Sequence, residues 1–129
     1  MTHPILALQA ALVAALRADS EIAVFDAPPA GRAPPYVTIA RHDVLPRDGD
    51  EATGYEHRLL LHAWATDASR KAVVALAETI VGVALAADLD PDGLLVTLRR
   101  HERTDTAIDA ATGKARAAIA LTFFSEPQP

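Results

Sequence analysis

Residues 55–87 read YEHRLLLHAWATDASRKAVVALAETIVGVALAA, and the spacing of their apolar groups changes once along the way. From Tyr55 to Thr66 the alternation sets Leu59, Leu61, Ala63 and Ala65 on one face and Arg58, Leu60, His62 and Trp64 on the other, the period of a β-strand. Further on, Val73, Leu76, Ala77, Ile80, Val83, Ala84 and Ala87 recur at i, i+3, i+4 and i+7, which predicts an amphipathic helix that Thr66 or Asp67 can cap. A strand feeding straight into such a helix places both element types around one core.

Upstream, Pro4 suits the first turn of a helix, and Ile5, Leu8, Leu12, Ala15 and Leu16 follow at helical spacing, predicting a helix over residues 4–18. The segment 27–35, APPAGRAPP, cannot be helix or central strand. Tyr36-Val37-Thr38-Ile39-Ala40 then opens a strand over 36–45, and the acidic PRDGDEATG of 46–54 reads as a loop. Downstream, Asp88 to Gly93 stops the second helix. Residues 94–106 form a long strand with Leu94, Val96 and Leu98 inward and Thr97, Arg99, His101 and Arg103 outward. Asp109 to Gly113 is turn chemistry, 114–125 is the partner strand of a hairpin, and 126–129 is a fraying tail. The order is α-β-β-α-β-β, an α+β fold with a four-stranded, mainly antiparallel sheet and two helices on one face.

The chain of 129 residues fits one domain, 1–129, large enough for a hydrophobic core. A net charge of −5 disfavours general affinity for nucleic acid or anionic membrane. No cysteine is present, so there is neither a disulfide framework nor a thiolate nucleophile. With no apolar run long enough for a membrane span and no basic region before an apolar segment, a soluble intracellular product is expected.

Asp88-Leu89-Asp90-Pro91-Asp92-Gly93 matches the first half of a calcium loop, but Arg99 stands where the bidentate glutamate belongs. A helix-to-strand turn is the better reading of Asp88, Asp90 and Asp92, with a small metal- or ligand-binding domain as the rival function. The five histidines form no HxxxH or HExxH pair, and His57 and His62, five apart, fall on opposite strand faces. Ser20, Ser69 and Ser125 lie at predicted element ends, none within GxSxG, and no phosphate-binding glycine loop occurs. The residues thus show no catalytic, cofactor or metal set.

Surfaces carry more information. If the helices cover the Leu59 and Leu61 face, then Leu60, His62 and Trp64 form an apolar group on the other side, which a partner would hide; the equal alternative sets Trp64 at the sheet edge beneath the proline loop. Arg99, His101 and Arg103, with no aromatic between them to stack a base, read as a solvated sheet face rather than a nucleic-acid patch; alternatively this basic face and the acidic loop of Asp48, Asp50 and Glu51 meet between neighbouring copies, and such head-to-tail contacts close into rings when the rotation permits.

These features together resemble the tail-completion, or tail-terminator, proteins of long-tailed bacteriophages and gene transfer agents. The resemblance is carried by Leu8-Gln9-Ala10-Ala11-Leu12, by Val24-Phe25-Asp26-Ala27-Pro28-Pro29 leading to Pro35-Tyr36-Val37-Thr38-Ile39, by His57 before Leu59-Leu60-Leu61-His62-Ala63-Trp64, and by the C-terminal hairpin, whose turn at 109–113 resembles the family's Asp-x-x-Gly type. It implies a structural virion protein without enzymatic activity or cofactor, whose copies, typically six, form a ring. That ring ends tail-tube growth and joins the tube protein to the head-side connector. DNA would pass through the bore without specific binding, and Asp48, Asp50 and Glu51 are candidates to line it, since acidic groups do not trap phosphates. A head-side connector ring is the neighbouring alternative.

Overall fold

The computed structural model describes residues 2–20, 22–27, 29–48, 53–66 and 68–128. Helix α1 spans Pro4–Ser20, strand β1 Val24–Phe25, β2 Tyr36–Pro46, β3 Tyr55–Trp64, helix α2 Arg70–Ala86, β4 Leu94–Ile108 and β5 Ala115–Pro127. The strands form one sheet in the order β1-β2-β3-β5-β4. Apart from the parallel β1–β2 pair, every neighbour is antiparallel.

The α+β class and the two helices agree with the sequence; the strand count does not. A fifth strand, β1, adds two residues alongside Val37 and Thr38. It holds too few residues for any period to register, and it forms because the chain leaving α1 runs past the start of β2. The second helix starts later than the alternation suggests: Ser69, not Thr66, is its N-cap, its Oγ accepting the amide of Ala72 at 3.1 Å. Asp67 lies outside the described residues.

Both helices pack on one face of the sheet. Leu8, Leu12 and Leu16 of α1 and Val73, Ala77, Ile80 and Ala84 of α2 share a core with Val37, Ile39, Leu59, Leu61, Ala63, Ile119, Leu121 and Phe123. The apolar faces read from β3 and α2 are the buried ones. Ala63, Ala65, Ala115 and Ala117 let the helices lie close to the sheet at this end, where larger side chains would hold them away.

Register shifts make the strands depart from simple alternation. Ala40 of β2 and Thr97 and Glu102 of β4 are extra residues opposite their partners. Each such bulge flips every later side chain to the other face. Leu98, read as inward, therefore leaves the core and is 49% exposed. Arg99 moves to the helix side, where its guanidinium donates to the carbonyls of Ala84 and Ala87 and closes the C-terminus of α2. His101 follows it to the helix side, while the second bulge returns Arg103 to the opposite face. The three do not form one basic face.

Candidate assembly surface

The sheet face away from the helices is built mainly by β3 and β5, whose registered pairs on that side are Glu56–Phe124, Arg58–Thr122, Leu60–Ala120, His62–Ala118 and Trp64–Arg116. Leu60, His62 and Trp64 share this helix-free face, as their spacing requires, and each is half-buried. Trp64 lies on the central strand, not at an edge. Its ring meets that of His62 edge-on, with centroids 6.5 Å apart, and the Arg116 guanidinium stands 6.0 Å from its centroid. Burial and the Arg116 charge push the His62 pKa down, so this aromatic group is held neutral. Trp64 Nε1 and Arg116 Nε are both buried without an acceptor among the described residues.

Toward the other end of the same face, Glu56 accepts from two arginines. Arg58 Nε lies 2.6 Å from one carboxylate oxygen and Arg47 Nη2 2.7 Å from the other. The Arg58 and Arg47 hydrogen bonds hold its carboxyl below the usual range. Three further ion pairs join residues two apart on one strand: Arg41–Asp43 at 2.7 Å, Arg100–Glu102 at 2.7 Å and Arg103–Asp105 at 3.6 Å. The helix-free face is thus apolar and aromatic around Trp64 and patterned with alternating charge elsewhere.

Both long sides of the sheet are open. Strand β4 pairs with β5 alone along all its length, and β2 beyond the reach of β1 pairs with β3 alone, among the described residues. Between β4 and α2 runs a groove of about 740 Å³ lined by Val74, Val81 and Gly82 on the helix and His101, Thr104 and Thr106 on the strand.

A polar chain escaped the sequence reading because 68 positions separate His57 from Ser125. His57 is fully buried; its Nε2 lies 2.8 Å from Ser125 Oγ, and its Nδ1 lies 2.9 Å from Nε2 of His42. His42 Nδ1 has no partner among the described residues. That atom is cheaper to bury as a lone pair than as an N–H, so His42 donates to His57, and His57 donates to Ser125. Burial is the main cause that lowers both histidine pKa values to about 4. Ser125, 3% exposed, accepts this hydrogen bond within the core and ties β5 to β3.

Asp92 accepts from the Thr2 hydroxyl at 2.6 Å, while Asp88 and Asp90 are exposed. Gly93 takes a φ of +72°, which closes the turn into β4. Among the described residues no group of three or more His, Asp or Glu side chains converges as metal ligands. Asp48 is exposed beside β2; Asp50 and Glu51 lie outside the described residues.

The fold is thus a helix-backed sheet with one helix-free face and two long open edges. The family model of the tail completion protein gp17 matches residues 10–123, and the chain belongs to that family. It is therefore a structural protein of the virus particle. Among solved structures, a chain of the virion of a native gene transfer agent particle is similar in fold, with a TM-score of 0.83 and 23% identity over 97% of this chain and 99% of that one. No curated protein matches the chain. Among the described residues no helix is long and apolar enough to cross a membrane.

Proposed function

We propose that copies of this protein, six in number, form a ring at the head-proximal end of the tail tube, stop its growth and join it to the head-side connector. The match of residues 10–123 to the tail completion family carries the reading. The geometry supports it: Leu60, His62 and Trp64 offer a broad contact surface, half-buried in the single chain, for neighbouring copies or the last ring of tube protein. One ring face copies the docking surface of a tube ring and the other accepts no further tube subunit, so polymerisation ends by geometry. Asp48 contributes acidic character near the bore, which lets DNA pass without holding its phosphates.

Deleting the gene in the particle-producing bacterium tests this reading. Normal heads accompanied by overlong or unattached tails are the expected outcome in electron micrographs. Particles of ordinary length and attachment would overturn it.

A further inference from the structure

We infer that neighbouring copies join edge to edge, the open edge of β2 on one copy pairing antiparallel with β4 of the next, in the register that sets Arg41 opposite Asp105 and Asp43 opposite Arg103. The inference rests on the ring reading above and adds the surface by which the ring closes.

Strand directions provide the first argument. In the order β1-β2-β3-β5-β4 each step from β2 onward reverses direction, so β2 and β4 run oppositely. Copies in a closed ring keep their direction along the ring axis, so with the strands running along that axis β2 of one meets β4 of the next as an antiparallel pair. Long unpaired edges are also what natural sheets avoid exposing, and β4 offers its whole length, Leu94–Ile108. Pairing β2 with the neighbour's β4 leaves no long edge bare, whereas a two-fold pairing of β4 with itself leaves β2 open.

Charge supplies the second. Arg41 and Asp43 point to the helix-free face of β2, and Arg103 and Asp105 to the same face of β4. In the single chain each arginine turns along its own strand toward an aspartate two residues on, at 2.7 Å and 3.6 Å, with the side chains largely exposed. Laid antiparallel, the sequence Arg-x-Asp on one strand meets Asp-x-Arg on the other, and both cross-strand positions become opposite-charge pairs. The same register sets His42 opposite Thr104, both on the helix side, so the two sheets keep their faces matched. Arg100 and Glu102 cannot substitute for Arg103 and Asp105, because Glu102 is the extra residue of a bulge and stands opposite no partner.

The test uses intact particles and two paired reversals, each of which keeps its own in-strand ion pair and the net charge. Arg41→Asp with Asp43→Arg, and separately Arg103→Asp with Asp105→Arg, are each expected to abolish joined particles, and the four changes together to restore them. Joined particles that still contain either single-strand reversal would overturn the edge pairing and leave the ring reading standing. A two-fold β4–β4 contact gives that result, since reversing β4 reverses both of its partners. Loss in all three variants would likewise overturn it. A chain without cysteine permits a second measurement: Arg41→Cys combined with Asp105→Cys, oxidised in assembled particles, is expected to give a ladder of covalent multimers up to the full ring. Assembled particles that yield only monomer and dimer bands would overturn the pairing. Normal particles in the gene deletion would instead remove the ring reading itself.

Discussion

His57 of β3 is fully buried, so its charge state is tied to folding. Its pKa and that of His42 are lowered from 6.5 to about 4, chiefly by desolvation; the charges facing the pair are His3, which opposes protonation of both, and Asp43, which favours it for His42. The unfolded chain takes up these protons from pH 6.5 downward while the fold resists them. Their contribution is therefore complete above pH 6.5 and is lost as the pH falls toward 4. At about 1.4 kcal/mol per pH unit the loss reaches about 3 kcal/mol for each histidine. Urea unfolding at pH 7 and at pH 4.5 checks it, and His57→Phe is expected to shrink the difference by about half while costing about 1–3 kcal/mol at pH 7 through the unpaired Ser125 and His42. Glu56, its carboxyl held low by Arg58 and Arg47, is lost only at still lower pH. Gly54 is constrained by space: an added Cβ would sit 2.6 Å from the carbonyl oxygen of Arg47, whose own amide donates to Gly54. Gly54→Ala is expected to cost about 1–3 kcal/mol in chemical denaturation, because the obstructing atom is backbone.

At the scale of elements, period governs whatever stays regular. The β3 alternation and the α2 repeat were legible because one face of each meets a continuous core, and every side chain assigned to those faces from Leu59 to Ala65 is buried. Strand β4 was misread from Leu98 to His101, because the extra Thr97 inverts the assignments until the extra Glu102 restores them, and nothing local in Leu-Val-Thr-Leu announces the first bulge. This inversion has a measurable consequence. Leu98→Ser is expected to change the stability of the single chain by less than about 0.5 kcal/mol, where a core leucine would cost several times more. Conversely, Arg99, a surface residue by its spacing, closes the end of α2. Arg99→Met, which keeps the aliphatic stem, is expected to lower stability by about 1–2 kcal/mol and to fray that helix in amide hydrogen exchange. Ser69→Ala at the other end should cost about 1 kcal/mol by the same measurement of stability.

For the whole molecule, two helices shield one sheet face and leave the opposite face and both long edges uncovered among the described residues. Phe123, fully buried on the inner strand β5, anchors the covered side. Phe123→Ala is expected to cost about 3–5 kcal/mol and to abolish assembly by loss of the folded subunit, in contrast to the edge reversals, which leave the subunit intact. Composition, helix positions, the α+β class and the Leu60, His62 and Trp64 face followed from the chain alone, since each depends on spacing within one element, and so did the family resemblance. Only the tertiary structure decided the two-residue β1, the bulges that split Arg99 and His101 from Arg103, the buried His42–His57–Ser125 chain and the open β2 and β4 edges. These depend on which segments distant in sequence lie side by side, and a register or a hydrogen bond between remote residues leaves no period behind it.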